Sequence, residues 1–96
     1  MTKTAKNTVA LPAIVDLDAL DSIRDRLIDA IEVGPVLVSA DAVERVSTNA
    51  LFMLISAYET AKSNQNVFEI EQPSAAMIAA IDRLGLGPRF MGMMKQ

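Results

Sequence analysis

Short runs of apolar, often β-branched residues alternate along the chain with segments whose apolar residues recur at helical spacing. The runs occupy residues 9–15, 36–40 and 67–71, and a helical pattern follows each of them. Strands that alternate with helices in this way usually pair in parallel, because each helix carries the chain back to the start of the next strand. We therefore expect a compact α/β domain with a parallel sheet that is covered by helices.

The first helical pattern is amphipathic, with a strongly acidic outer face. Asp18 is predicted to cap the helix, and Asp21 takes the place of the acidic partner in a capping box. Residues 16–32 hold six acidic and two basic side chains. Such a run of charge is typical of a solvated helix face rather than of a cation site. The apolar stripe consists of Leu20, Ile23, Leu27, Ala30 and Ile31.

Prolines and glycines set the limits of the elements. Pro12 interrupts the first apolar run and favours a sheet edge or a bulge, because it has no N–H to donate to a neighbouring strand. Gly34 and Pro35 end the first helix, and Gly85 supplies a left-handed stop for the third. Residues 41–47 are predicted to form a connection.

The second and third helices are predicted from their apolar spacing. The second runs over residues 49–63, and Ser74 caps the third. The stripe of the second helix consists of Leu51, Leu54, Ile55, Tyr58 and Ala61, and that of the third consists of Met77, Ile78, Ile81 and Leu84.

The composition excludes much of the chemistry that small enzymes use. The chain has 96 residues with no cysteine, histidine or tryptophan. Thiol nucleophiles, imidazole bases and Cys/His zinc sites are therefore impossible within it. Only carboxylate, lysine or hydroxyl chemistry remains, and no base is placed to activate a hydroxyl. We expect a protein that is not an enzyme and that has no metal or cofactor.

Charge and hydropathy limit the partners. The net charge of −3 argues against nucleic acid and anionic membrane surfaces, both of which attract basic proteins. The longest nearly unbroken apolar stretch, residues 50–58, is much shorter than the ~20 residues that a membrane-spanning helix needs. We expect a cytoplasmic protein of bacterial type whose partner is another protein. Residues 1–7 are predicted to be a disordered polar tail and residues 8–96 a single domain, while the oligomeric state stays open.

Three residues that favour helix caps precede the second helix. Ser47, Thr48 and Asn49 stand where a loop enters an apolar helical pattern. The simpler interpretation is that one of them is the N-cap, which contributes ~1 kcal/mol. The functional interpretation is a phosphorylation site, because a helix N-terminus tolerates the negative charge of a phosphate.

The second helix is apolar around its whole circumference at its start. If Leu51, Leu54 and Ile55 face the sheet, then Phe52 and Met53 must point elsewhere. Either another helix covers these two side chains, or they form an exposed patch that binds a partner.

Four segments resemble a STAS domain, the fold shared by bacterial anti-sigma-factor antagonists and the cytoplasmic tails of sulfate transporters. The resemblance covers residues 8–90 and implies a compact α/β domain with a mainly parallel or mixed sheet of about four strands covered by helices. Residues 47–51 fall on the family motif Asp-Ser/Thr-x-Gly-Leu, with Ser47 and Ala50 in place of the aspartate and the glycine. Residues 11–16 resemble the family's early strand with its acidic end, and residues 36–43 resemble its central strand and the loop after it. The closing helix and tail of the family are resembled by residues 72–74, 84–86 and 90.

The resemblance implies a regulatory, non-catalytic protein. In phospho-regulated members a kinase of the histidine-kinase-like ATPase fold phosphorylates the hydroxyl residue after the motif's aspartate, which corresponds here to Thr48, with Ser47 as second choice. The implied partner is such a kinase, an anti-sigma factor or a chemotaxis kinase, because the chain also looks like small STAS proteins found beside chemotaxis genes. The expected binding residues are Ser47, Thr48, Asn49, Phe52 and Met53.

A second function stays open. Another branch of the family serves as a soluble accessory subunit of lipid-transport ATPases, in which the same helix docks on the nucleotide-binding subunit. On this hypothesis the chain is a constitutive adaptor without phosphorylation, and Thr48 is only a cap.

Overall fold

The computed structural model of the protein describes residues 7–94. The tail predicted over residues 1–7 lies outside this range, except for Asn7, which begins the first strand. The strands are β1 (Asn7–Ala10), β2 (Ile14–Val15), β3 (Val36–Ser39), β4 (Arg45–Val46) and β5 (Phe68–Glu71). The helices are α1 (Leu17–Val33), α2 (Thr48–Ser63), α3 (Ala75–Arg83) and α4 (Gly87–Phe90).

The five strands form two parallel sheets. A three-stranded sheet has the order β1-β3-β5, and a two-stranded sheet pairs β2 with β4. The expected α/β architecture with parallel strands and helices is therefore present. The structure has five strands in two sheets, whereas a single sheet of about four strands is expected. The difference arises because the first apolar run is divided and because a strand forms within the predicted connection.

The division of the first run occurs at Pro12. The amide of Leu11 still donates to the carbonyl of Ser39 at 2.9 Å. Pro12 has no amide hydrogen to continue this ladder, and β2 then pairs with β4 instead. The carbonyl of Ala13 accepts from the amides of Glu44 and Arg45, which holds the start of β4 against the chain before β2. The prediction that residues 41–47 are only a connection is thus wrong for β4.

Side chains cap three of the helices. The carboxylate of Asp16 accepts a hydrogen bond from the amide of Asp18 at 3.1 Å, so the cap of α1 lies two residues before the one predicted. Asp16 takes this role because β2 ends at Val15 and the chain turns at once into the helix. Ser74 caps α3 as predicted. Gly85 follows that helix with φ of 70°, as the predicted left-handed stop requires.

The core lies between one face of the three-stranded sheet and the helices α1 and α2. Val38 and Ile70 point into it from the sheet, while Leu27 and Leu54 enter it from the two helices. No helix within residues 7–94 is both long enough and apolar enough to cross a membrane.

The third helix buries less than its sequence predicts. Met77 and Ile81 are buried, but Ile78 and Leu84 are 44% and 43% exposed. Ile78 lies one residue away from the buried stripe, and Leu84 stands at the C-cap, where the helix has ended. Phe90 of α4 and Met93 after it are also buried in the core.

Candidate functional site

The N-termini of α1 and α2 lie side by side because β2 and β4 are paired and parallel. Val15 pairs with Val46, and each of these residues is followed directly by a helix cap. The amide of Ser47 donates to the carbonyl of Val15 at 2.9 Å. The capping residues Asp16 and Ser47 therefore share one edge of the molecule. They line a pocket of about 250 Å³ together with Ile14, Val15, Arg45 and Val46.

Ser47 is the cap among the three residues that favour this role. Its backbone is extended, with φ of −79° and ψ of 159°, and its Oγ accepts from the amide of Ala50 at 3.1 Å. The side chain is half-buried. Because the Ser47 hydroxyl oxygen already accepts this hydrogen bond at the helix start, Ser47 is less suited than Thr48 to be phosphorylated.

Thr48 is the first residue of α2, and its side chain is exposed. Its hydroxyl makes no hydrogen bond to other residues in the range 7–94. The interpretation of Thr48 as the cap is therefore wrong, since Ser47 fills that role. A phosphate here would lie in the positive field of the helix N-terminus, which stabilises an anion by about 0.3–1 kcal/mol.

Phe52 follows Thr48 by one helical turn and lies on the same side of α2. Its side chain is 49% exposed, which is unusual for a large aromatic residue. Asn49 is also exposed, whereas Met53 is half-buried and packs against the core. The expected binding residues thus separate into an outer group of Thr48, Asn49 and Phe52, which we term the α2 surface, and the more enclosed Ser47 and Met53.

Ala50 falls at the glycine of the STAS motif that residues 47–51 resemble, and it is fully buried. Its methyl group faces the core together with Leu51 and Leu54. The alanine side chain therefore adds no bulk to the α2 surface.

The electrostatic surroundings of the two helix starts differ. The first turn of α2 carries no acidic residue, whereas that of α1 carries Asp18 next to the cap Asp16. Arg45 is exposed and lines the pocket between them. The described part of the chain contains no group of three or more carboxylates arranged to hold a metal ion.

Sequence reasoning missed two members of this site. Asp16 was expected to end a strand and Arg45 to lie in a connection, yet both line the pocket beside Ser47. The sequence gives no strand signal here, because Val43 and Val46 are three residues apart and β4 has only two residues.

No protein-family model matches the chain, and no curated protein matches it either.

Proposed function

We propose that the chain is a bacterial, cytoplasmic, non-catalytic regulatory module of the STAS type that binds a protein partner through the α2 surface. The observation that carries this proposal is that Thr48, whose exposed hydroxyl makes no hydrogen bond within residues 7–94, lies one helical turn before the exposed ring of Phe52. An accessible modification site directly beside an apolar contact suits a binding surface that phosphorylation controls.

The fold supports the proposal. Residues 47–51, which resemble the STAS motif, open α2 directly after the parallel strand β4. The motif residue that follows the aspartate's position is the exposed Thr48, while the half-buried Ser47 caps the helix. The partner that this resemblance favours is a kinase or anti-sigma factor of the histidine-kinase-like ATPase fold, or a chemotaxis kinase.

Phosphorylation would act through charge. A phosphate adds about −1.5 to −2 charge units at neutral pH. The first turn of α2 has no acidic residue of its own, so this change is large in relation to the unmodified surface. A partner that covers Phe52 would have to desolvate the phosphate or lose contact with the ring, and its affinity would fall.

A constitutive adaptor is the second candidate, and one observation favours it. Phe52 is exposed without any modification, so an apolar partner can bind the α2 surface in the absence of a phosphate. An accessory subunit of a lipid-transport ATPase is an example of this class.

Intact-mass measurement tests the first proposal. The chain is incubated with ATP and purified candidate kinases of the histidine-kinase-like ATPase fold. We expect one added phosphate, which Thr48→Ala removes and Ser47→Ala leaves in place. Retention of the phosphate in Thr48→Ala, or its absence with every kinase tested, contradicts the proposed switch.

A pair of variants that match in shape and differ in charge separates the two candidates. Thr48→Glu introduces a negative charge and Thr48→Gln has the same shape without it. In a regulated module, Thr48→Glu weakens partner binding at least tenfold more than Thr48→Gln does, which corresponds to about 1.4 kcal/mol. In a constitutive adaptor both variants bind equally, and only Phe52→Ala weakens binding.

A further inference from the structure

The three-stranded sheet has one face turned away from α1 and α2. Side chains alternate between the two faces of a strand, and Val9, Val38 and Ile70 point into the core. The intervening residues form the opposite face, which we term the outer sheet face. It consists of Thr8 and Ala10 of β1, Leu37 and Ser39 of β3, and Glu69 and Glu71 of β5.

Solvent reaches this face across all three strands. Thr8 and Ala10 are exposed, and the other four residues are half-buried. The main helix contacts with this sheet, α1 on β1 and β3 and α2 on β5, are on the core side, while α3 packs mainly on β4 of the smaller sheet. Parallel sheets are normally covered on both faces, so an accessible face of this kind indicates a site for a further layer.

The outer sheet face is also acidic. Glu69 lies beside Leu37 and Glu71 lies beside Ser39 in the parallel register. The hydroxyl of Ser39 donates to the carboxylate of Asp41 at 3.2 Å, which brings a third carboxylate to the end of β3. Within residues 7–94, neither Glu69 nor Glu71 forms a salt bridge; the ion pair found there joins Arg24 to Asp21 on α1.

We propose that the outer sheet face binds one basic amphipathic helix of a partner protein. Three strands spaced by about 4.8 Å give a face about 10 Å wide, which matches the diameter of an α-helix with its side chains, about 10–12 Å. An apolar residue of the helix packs on Leu37, and lysine or arginine side chains pair with Glu69 and Glu71. A second copy of this chain does not fit, because two acidic faces repel each other.

This surface is independent of the α2 surface. The outer sheet face lies on the opposite side of the sheet from the core, whereas α2 packs on the core side. A partner helix bound to the sheet therefore leaves Thr48 and Phe52 accessible. One molecule can hold two proteins at once, one through each surface.

The test uses a synthetic amphipathic helical peptide of leucine and lysine, titrated into the full-length chain at low ionic strength and followed by calorimetry. Removing both charges with Glu69→Gln and Glu71→Gln is expected to weaken binding about twofold to thirtyfold, as the loss of two exposed ion pairs implies. The matched control neutralises two exposed carboxylates of the acidic first helix, with Asp25→Asn and Asp29→Asn. It is expected to change the affinity less than twofold.

Chemical-shift mapping identifies the occupied surface. We expect the largest amide shifts on β3 and β5 around Leu37, and Leu37→Gln is expected to reduce the affinity while circular dichroism reports an unchanged fold. Equal losses from the two pairs of neutralised residues, or shifts centred on α1 or α2, would overturn the proposal. Binding that becomes tighter when residues 1–6 are removed would also overturn it, because the lysines of that segment would then be the competing occupant. Thr48 variants leave this readout unchanged, so its failure is distinguishable from failure of the proposed switch.

Discussion

The helices α1 and α2 begin side by side on paired strands and contribute to the same core, yet their outer faces differ. Each has a capping side chain, Asp16 or Ser47, at the edge of one shared pocket. The outer face of α1 is acidic, whereas the start of α2 presents hydroxyl and amide groups and the ring of Phe52. The two helices therefore have the same role in the fold, and that role does not explain why their outer surfaces differ.

The difference follows from what each outer face must do. Both helices expose apolar side chains, since Ile28 of α1 is 45% exposed and Phe52 of α2 is 49% exposed. Ile28 lies among the charged side chains one turn away on α1, whereas Phe52 follows the hydroxyl of Thr48 by one turn. The proposed function therefore assigns partner binding to α2 and a structural role to α1.

The largest effects are expected where the two helices are alike. Leu27 of α1 and Leu54 of α2 are both buried in the core. Leu27→Ala and Leu54→Ala are each expected to lower the free energy of unfolding by about 2–5 kcal/mol, because each leaves a cavity. Urea denaturation followed by circular dichroism measures this, with the half-exposed Ile28→Ala as control. A loss below 1 kcal/mol for one of them alone would contradict an equal structural role.

The next effect concerns Tyr58 in the second half of α2, which lies close to Gly92 after α4. A Cβ atom on Gly92 would lie 2.7 Å from the hydroxyl oxygen of Tyr58, whose ring packs edge-on against Phe68. Gly92→Ala is therefore expected to destabilise the protein by about 1–3 kcal/mol through overpacking. The stability is measured by thermal unfolding.

Removing the hydroxyl provides the control. Tyr58→Phe deletes the oxygen that the new methyl group would meet, and the next ring atom lies at 3.5 Å. The double variant is expected to recover most of the stability lost in Gly92→Ala. If it recovers none, the close approach of Gly92 to Tyr58 is not the cause of the loss.

The caps give a smaller and more specific effect. Ser47→Ala and Asp16→Ala are each expected to cost about 1 kcal/mol, since each removes the acceptor for an orphan amide at a helix start. Thr48→Ala is expected to cost less than about 0.5 kcal/mol, because its exposed side chain does not cap the helix. Denaturant unfolding of the three variants gives the comparison. Equal losses for Ser47→Ala and Thr48→Ala would mean that the cap is shared.

Sequence patterns predicted the larger elements because those elements depend on local signals. The helical spacing of Leu51, Leu54 and Ile55 located α2 to within one residue at its start, and Ser74 with Gly85 gave the limits of α3 closely. Apolar periodicity and capping are properties of neighbouring residues, so they are visible without knowledge of the fold.

The remaining features depend on pairing between distant residues. The strands β2 and β4 have two residues each and exist because Val15 meets Val46 across 31 positions of the chain. Neither segment is long enough to show strand alternation by itself. The same pairing brings Asp16 beside Ser47. Local sequence patterns therefore predict neither the two strands nor the pocket that they form.

The smallest effect on stability distinguishes the two outer faces most directly. Phe52→Ala on α2 and Ile28→Ala on α1 each remove an apolar side chain that is about half exposed, at 49% and 45%. Both are expected to change the free energy of unfolding by less than about 0.5 kcal/mol, because surface substitutions seldom do more.

Binding of a partner on the α2 surface is expected to weaken about tenfold or more in Phe52→Ala, as for an aromatic anchor, and to stay unchanged in Ile28→Ala. Surface plasmon resonance measures both affinities, with a kinase that phosphorylates the chain in the intact-mass assay as the immobilised partner. A loss of affinity in Ile28→Ala equal to that in Phe52→Ala would extend the binding surface to α1 and remove the functional distinction between the two helices.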